Sequence, residues 1–242
     1  MPATACDNRI RVADFAWPTV GQRARSGAML AVPLGSTEQH GPHLPLSVDT
    51  DIAVALCERL ASMRADVLVA PPLAYGSSGE HAGFPGTLSI GQDALELLVV
   101  ELGRSASETF DHLLLVSAHG GNAAAVARAT KRLRSESYDV HLFVPQWKGD
   151  PHAGRSETSM LLALTSDLVD MARAVPGDTR ELAEIFPLLR TGGVKAVSSS
   201  GILGDPTGAT AEEGETLLQH LTTALADEVA RWRGGARSIA CL

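Results

Sequence analysis

The chain has few cysteines, and their positions form neither a disulfide framework nor a thiolate zinc site. The three cysteines, Cys6, Cys57 and Cys241, are widely separated in the sequence and never form a Cys-x-x-Cys pair. Small secreted domains and thiolate zinc sites instead carry closely spaced, paired cysteines. The cysteine content therefore favours a reducing compartment, and we expect a cytoplasmic protein.

Long apolar runs and an excess of positive charge are also missing. No apolar run reaches the roughly 18 residues of a membrane-spanning helix. Residues 1–14 lack the basic segment and apolar core of a secretory signal. The net charge is −8, and no basic stripe is present to neutralise phosphates. We therefore expect neither a membrane nor a nucleic acid as a partner.

The chain does contain the composition and the alternating pattern of an α/β protein. Its 242 residues are 45% hydrophobic and 20% charged, which is typical of a globular domain with a substantial core. Short apolar runs alternate with longer segments of helical periodicity, which favours parallel strands covered by helices on both faces. No linker or repeat divides the chain, so we predict a single α/β domain over residues 1–242. The predicted strands are 29–34, 67–70, 112–117 and 140–144.

The predicted helices lie between these strands and after the last of them. Asp49 or Thr50 would cap a helix over residues 50–63. A short helix over residues 14–22 would be interrupted by Pro18. Residues 176–208 are rich in Gly, Pro and Ser and show little periodicity, so no helix is predicted there. The remaining predicted helices cover 92–110, 122–135, 157–164 and 211–233.

A group of ionisable residues follows the first predicted strand. Glu38 and His40 are two residues apart, so on an extended backbone their side chains leave on the same side. Asp49 lies where the next helix should begin. Carboxylate and imidazole ligands gathered in this way suit zinc, manganese or iron(II). The alternative is a polar loop whose histidines only cap and hydrogen-bond.

A second group follows the third predicted strand, in the sequence Ser-Ala-His-Gly-Gly-Asn. Because ligands collect beyond the carboxyl ends of parallel strands, His119 is expected to approach the same edge of the sheet as Glu38. The backbone amides of Gly120 and Gly121 could bind an anion where the next helix begins. Alternatively, His-Gly-Gly-Asn is only a tight turn.

A third group follows the fourth predicted strand, again at this edge. His152 is a candidate proton donor to a leaving nitrogen, and Glu157 a candidate metal ligand or general base. Alternatively, Ser156 caps an ordinary helix that has Glu157 in its first turn. The loop with Glu80 and His81 follows the second predicted strand and so also lies at this edge. Its glycines favour a mobile or closely packed loop over a direct role of either residue in catalysis or metal binding.

Together these segments resemble the creatininase family of metal-dependent amidohydrolases. The resemblance covers about residues 29–215 and rests on the three groups in the same order, together with Gly-Asp-Pro-Thr-Gly at 204–208. It implies a three-layer α/β/α sandwich with a mostly parallel sheet, assembled as a homo-oligomer. It also implies a pair of divalent metal ions in each chain, whether zinc, iron(II) or manganese.

The resemblance further implies a role for each residue of the groups. Glu38 and His119 would hold one metal, His40 would hold the other, and Asp49 would bridge the two ions. His152 corresponds to the histidine that donates a proton to the leaving nitrogen. The implied reaction is hydrolysis of a C–N amide bond by a metal-activated water.

This chain departs from the creatinine-cleaving members in two places. Those enzymes carry a glutamate ligand where this chain has Gly121, and we expect Glu157 to replace it. They also carry a long insertion between Trp147 and His152, where only four residues stand here. We therefore expect a more open cleft, with Trp147 and the turn residues Gly120, Gly121 and Asn122 in contact with the substrate.

The short loop and the tail motif are most similar to family members that remove a C-terminal dipeptide from a modified precursor peptide. Such a peptide is accordingly the expected substrate. One alternative is a small amide, either a creatinine-like cyclic amide or a formylamide. A second alternative is a metal-binding module without catalytic activity.

Overall fold

A four-stranded parallel sheet forms the centre of the computed structural model, which describes residues 8–234. The two central strands, β1 and β3, pair from Leu30 opposite Leu113 to Leu34 opposite Ser117, so they end together. Each predicted strand is present, with its ends within one residue of the prediction. In the spatial order β2-β1-β3-β4, the strands are β1 (Met29–Leu34), β2 (Val67–Val69), β3 (Leu113–Ser117) and β4 (Val140–Phe143).

Helices cover both faces of this sheet, which makes the three-layer sandwich that the sequence predicted. One face is covered by α2, α5 and α7, and the other by α1, α3 and α4. Most helices end within three residues of their predicted bounds, but α3 stops at Ala106 rather than at residue 110. The helices are α1 (Trp17–Arg25), α2 (Val48–Met63), α3 (Gln92–Ala106), α4 (Ala123–Ser135), α5 (Arg155–Thr165), α6 (Leu182–Val197) and α7 (Ala211–Trp232).

Strand β1 shows why the sequence folds into these layers. All six of its residues are buried, because both faces of a parallel sheet are covered. Met29 and Ala31 pack into the core shared with α2, α5 and α7. Leu30 and Val32, which point the other way, pack into the core shared with α1, α3 and α4. Strand β1 therefore needs an apolar residue at every position, not only at every second position.

Two predicted helix starts were wrong. Pro18 does not interrupt α1 but lies in its first turn, where no backbone N–H is needed. Helix α2 begins at Val48, with Ser47 at the capping position. Asp49 is therefore not a cap but a first-turn residue whose side chain is buried. Thr50 is also inside the helix, and its hydroxyl donates a hydrogen bond to the Ser36 carbonyl oxygen at 2.9 Å.

Helix α6 was missed by the sequence analysis. It contains Pro187, and at Gly193 the backbone leaves the helical conformation with φ of +67°. These interruptions break the helical periodicity into two short pieces. A Cβ at Gly193 would lie 2.6 Å from the carbonyl oxygen of Glu80, so the bend brings α6 against the loop that follows β2.

The expectations about cysteines and membrane-spanning helices can be compared only with residues 8–234. Cys57 is buried and forms no disulfide, while Cys6 and Cys241 lie outside the described residues. Among residues 8–234, the longest helices are too short or too polar to cross a bilayer.

Candidate metal centre

A cluster of ionisable side chains lies buried where the carboxyl ends of the strands meet. Every strand is followed by at least one of its members, as expected for the edge of a parallel sheet. All five predicted ligands belong to it, together with the predicted proton donor and one histidine that had been set aside. We call Glu38, His40, Asp49, His81, His119, His152 and Glu157 the buried cluster.

Asp49 occupies the middle of the buried cluster. Its Oδ2 atom lies 3.1 Å from Nδ1 of His119, and its Oδ1 atom lies 3.5 Å from Nε2 of His40. The Ser36 hydroxyl orients the carboxylate by donating a 2.6 Å hydrogen bond to Oδ2. The two oxygens of Asp49 therefore face different histidines, an arrangement that suits a carboxylate shared by two ions.

Glu38 and His40 present ligand atoms that have no partner in the described part of the chain. Both carboxylate oxygens of Glu38 and Nε2 of His40 are buried without a hydrogen bond, although Glu38 Oε2 lies 3.2 Å from Nε2 of His119. Buried polar atoms of this kind are rare unless an ion or water satisfies them. One atom each from Glu38, His40 and Asp49 lie within 4.8 Å of one another, so these residues fit a divalent metal.

The electrostatics of the cluster also favour a cation. Burial raises the pKa of both Glu38 and Glu157 to about 7, and the nearby carboxylate of Asp49 adds to this shift. Burial alone would lower the pKa of the histidines, but Asp49 and its neighbouring carboxylates outweigh it. They raise the pKa of His40 to about 9 and that of His119 to about 10. Protons on these imidazoles thus take the place that a metal ion would fill.

Ser156 does not cap α5, because Gly154 holds the capping position and Ser156 lies inside the helix. Glu157 instead contacts both the backbone before α5 and the buried cluster. It lies in the first turn of α5, and its Oε2 atom accepts a 2.6 Å hydrogen bond from the backbone N–H of Ala153. The same oxygen lies 4.0 Å from Nε2 of His40. Ligand atoms of His40, His152 and Glu157 lie within 4.8 Å of one another. The carboxylate therefore holds the backbone just before α5 and also faces the cluster.

Gly121 leaves no space for the glutamate that the creatinine-cleaving enzymes carry at this place. A Cβ on Gly121 would lie 2.2 Å from the Ser77 carbonyl oxygen and 2.3 Å from Oε1 of Glu80. Glu80 itself lies 3.9 Å from Nε2 of His119. The loop after β2 thus fills the region where a side chain at Gly121 would begin.

His81 is the member of the buried cluster for which the sequence favoured a loop position over a direct role. Its Nε2 atom lies 3.2 Å from Oε1 of Glu38, without the alignment of a hydrogen bond. The amide nitrogen of Gln39, which can only donate, lies 2.8 Å from Nδ1 of His81. Burial lowers the pKa of His81 to about 3. His81 is therefore neutral, with its proton on Nε2, facing Glu38.

His152 is held in the opposite tautomer by the same residue. Its Nε2 atom lies 2.9 Å from the backbone carbonyl oxygen of Gln39, which can only accept, and 3.0 Å from the side-chain nitrogen of Gln39, which can only donate. That nitrogen has two hydrogens, and Nδ1 of His81 and the Gly201 carbonyl oxygen already accept them. We therefore assign the proton of His152 to Nε2, which donates to the Gln39 carbonyl oxygen. Nδ1 is then free of a proton and lies 3.9 Å from Oε1 of Glu38. Burial, with the nearby His40, keeps the pKa of His152 well below its ordinary value.

A cleft of about 770 Å³ opens above the buried cluster. Of the four predicted substrate-binding residues, Trp147, Gly120 and Gly121 line this cleft. The prediction for Asn122 was wrong, because its side chain is fully buried. It accepts a 2.8 Å hydrogen bond from the N–H of Ser77 and donates one of 2.9 Å to the Gly35 carbonyl oxygen, so it ties two loops together.

The sandwich and the buried cluster together have the arrangement of an α/β metal-dependent hydrolase, with candidate ligands at the carboxyl edge of the sheet. A family profile described as creatinine amidohydrolase matches residues 13–229. The chain therefore belongs to the creatininase family, which is hydrolytic.

Two relatives and two solved structures illustrate this membership. A mycofactocin precursor peptide peptidase of Mycolicibacterium smegmatis is 52% identical over 213 residues, 85% of each chain. A creatinine amidohydrolase of Pseudomonas putida is 30% identical over 254 residues, 90% of this chain and 95% of its own. A manganese creatininase matches with a TM-score of 0.80 at 27% identity, covering 92% of this chain and 98% of its own. A variant creatininase of zinc-zinc type matches with a TM-score of 0.78 at 27% identity, with the same coverage of this chain.

Proposed function

We propose that this chain is a peptidase that removes the C-terminal dipeptide from a modified precursor peptide, the mycofactocin precursor for which its relatives are named. The open cleft above the buried cluster carries this proposal. Its volume of about 770 Å³ suits an extended peptide segment better than a single small cyclic amide. The short loop between Trp147 and His152 supports the same interpretation, since no insertion closes the cleft there.

The buried cluster would hold a pair of divalent ions, with zinc, manganese or iron(II) as candidates. We assign Glu38 and His119 to one ion, His40 and Glu157 to the other, and Asp49 to both. When bound, such ions polarise the carbonyl of the scissile amide and lower the pKa of a water molecule toward neutrality. The carboxylate and imidazole donors match the preferences of these metals.

His152 is assigned to proton transfer. Because His152 is neutral and its Nε2–H is held by the Gln39 carbonyl, only Nδ1 is available toward the cluster. Nδ1 first accepts the proton released by the attacking water, and then gives that proton to the amine nitrogen of the leaving dipeptide. Glu157, whose pKa burial raises to about 7, is the second group able to take up a proton near neutral pH. This assignment makes His152 a proton acceptor before it is a donor.

The remaining cleft residues are assigned to binding of the peptide. The backbone N–H groups of Gly120 and Gly121 are available to donate to a carbonyl oxygen of the substrate. Trp147 is half-buried at the rim, where its ring can pack against a peptide side chain. These contacts would hold the scissile amide over the buried cluster.

The proposed function is tested by incubating the metal-loaded protein with the modified and the unmodified precursor peptide. Mass spectrometry should detect loss of two C-terminal residues, most rapidly from the modified peptide. Chelation should stop the cleavage, and manganese or zinc should restore it. Creatinine and a formylamide serve as alternative substrates, because a 30% identical relative is named for creatinine. Hydrolysis of either, with both peptides left intact, would replace the peptidase assignment by a small-amide hydrolase. Metal binding without hydrolysis would indicate an inactive module.

We also propose that the chain forms a homo-oligomer in the cytoplasm. Support for the assembly comes from large apolar side chains on the surface of α3, where Leu97 is 55% exposed and Leu98 is 36% exposed. Light scattering of the purified protein would test it, and a mass equal to one chain would contradict it.

A further inference from the structure

One face of helix α6 forms a wall of the cleft. Leu182, Phe186, Leu189 and Arg190 all line the cleft, and their spacing along the helix places them in one stripe. Leu182 is 45% exposed and Phe186 is 56% exposed, although both are large and apolar. We call these four residues the α6 wall. It offers the cleft an apolar surface that ends in a guanidinium group.

The end of α6 that carries Arg190 is fixed next to the buried cluster. The close approach of Gly193 to the Glu80 carbonyl oxygen holds the helix against the loop that carries His81. Lys195 strengthens this contact by donating a 2.8 Å hydrogen bond to the carbonyl oxygen of Gly83. Arg190 precedes Gly193 by three residues, or about 4.5 Å along a helix. Arg190 lines the same cleft as Glu38, His119 and His152 of the buried cluster.

Arg190 is also an arginine without an internal partner. It makes no hydrogen bond or ion pair with any other residue between 8 and 234. The other arginine of the lining, Arg180, is instead held by the carboxylate of Asp178 at 3.0 and 3.1 Å. A free guanidinium binds a carboxylate through two parallel N–H···O bonds. The α6 wall is thus suited to a ligand with apolar side chains and a carboxylate.

We propose that Arg190 binds the C-terminal carboxylate of the peptide substrate, while Phe186 and Leu189 contact the last side chains. This inference rests on the peptidase function proposed above. In an extended peptide, two residues span about 7 Å. The proposal thus places the amide two residues before that carboxylate over the buried cluster, which lines the same cleft. Arg190 would in this way select where the peptide is cut.

The test compares peptides that end in a carboxylate with the same peptides that end in a carboxamide. Leucyl-leucine and its amide serve as unreactive binding probes for the metal-loaded protein, and an acetylated pentapeptide ending in two leucines serves for turnover. In the unmodified protein, the Kd for leucyl-leucine should be about 10-fold or more below that for its amide. Arg190→Gln should bring this ratio close to one and leave the Kd of the amide unchanged. Arg25→Gln, which changes an exposed arginine of α1 that is not part of the cleft lining, should keep the ratio.

The outcomes separate this inference from the proposed function. If Arg190→Gln keeps the preference for the carboxylate, or if the unmodified protein binds both probes equally, the role of Arg190 is overturned. If the unmodified protein binds leucyl-leucine through Arg190 but cleaves neither the pentapeptide nor the precursor, the peptidase function fails while the binding site stands. The acetylated pentapeptide is used in two forms, one ending in a carboxylate and one in a carboxamide. If the two forms are cleaved at equal rates and with equal KM, the peptidase function stands and Arg190 does not select the end of the chain.

Discussion

The buried cluster and the α6 wall both line one cleft, but they are built differently. Glu38, His40 and Asp49 of the cluster are each no more than 2% exposed, and their positions are fixed by strand ends and the first turn of α2. Phe186 on the α6 wall is 56% exposed and is carried by a helix outside the sandwich. A change in the cluster disturbs buried charges, whereas a change in the wall disturbs mainly surface contacts. The chemistry is therefore constrained by the fold, while the choice of substrate is free to vary.

Removing an imidazole from the cluster should have the largest effect. We expect His119→Ala to lose most of its metal and its activity, because His119 faces both Glu38 and Asp49. The fold should persist, since the residue lies at the rim of the sheet and not in either apolar core. Metal analysis and circular dichroism would measure the two effects. His220→Ala, on the exposed face of α7, is the control. Unchanged metal content in His119→Ala would remove His119 from the ligand set.

Removing the proton-transfer group should leave the metal in place. His152→Ala should lower kcat by about 10² to 10⁴, the usual contribution of a general acid or base. Its metal content should match that of the unmodified protein, because Nε2 of His152 bonds to a backbone carbonyl and only Nδ1 faces the cluster. Loss of metal together with activity would instead make His152 a ligand.

Two glutamates beside the cluster should respond differently to loss of charge. Glu157→Gln should lower the occupancy of one ion and spare the other, while the hydrogen bond from Ala153 persists and stability changes little. Glu80→Gln is the matched variant, because Glu80 is more exposed and lies 3.9 Å from His119. We expect it to keep the full metal content. Equal stoichiometry in Glu157→Gln and the unmodified protein would end the assignment of Glu157, and a loss only in Glu80→Gln would transfer that role to Glu80.

The stability of the metal-free protein should depend on pH in a way that metal suppresses. The folded-state pKa values of His40 and His119, about 9 and about 10, lie above the ordinary value of 6.5. Their stabilising contribution is complete below pH 6.5 and is lost as the pH rises through these values. The melting temperature of the chelated protein should fall by about 4 °C or more between pH 7 and pH 9.

The same pH series with bound manganese or zinc is the control for this prediction. A metal ion replaces the protons on the two imidazoles, so the difference between the two series isolates the groups that face the metal. Parallel curves for the chelated and loaded protein would show that His40 and His119 do not bind the ion.

Changes in the α6 wall should have the smallest effects. We expect Phe186→Ala to raise KM for a peptide with apolar C-terminal residues by about 5-fold, since about 1 kcal/mol of apolar contact is lost. Metal content and kcat should stay the same, and the melting temperature should change by less than about 2 °C because the ring is already exposed. A fall in kcat or in metal content would show that the wall supports the cluster directly.

Much of the cluster was predictable because it follows from strand ends. Once β1 and β3 were recognised as buried parallel strands, Glu38 and His119 had to approach one another. His81 was not predictable in this way, because a glycine-rich loop gives no local signal for its path. The useful signal was topological: β2 is parallel to β1, so the loop after it returns to the same edge.

The errors arose where long-range packing decides the structure. Helix α6 was missed because Pro187 and Gly193 interrupt its periodicity, while its position depends on contact with the loop after β2. Asn122 was assigned to the substrate because it follows the turn at Gly121. Its side chain instead turns inward, since the N–H of Ser77 and the carbonyl of Gly35 need a partner there. The direction of a side chain in a turn cannot be read from spacing alone.

The lack of space at Gly121 limits how this enzyme can be changed into a relative with a different substrate. Any side chain there would meet the Ser77 carbonyl oxygen at 2.2 Å, and that oxygen belongs to the backbone and cannot rotate away. A single substitution that restores a glutamate would therefore be disfavoured by the folded state before any new ligand could act. The loop after β2 would have to be remodelled first. On an evolutionary path between the two kinds of site, the order of the steps is thus set: the loop moves, and only then can the ligand be exchanged.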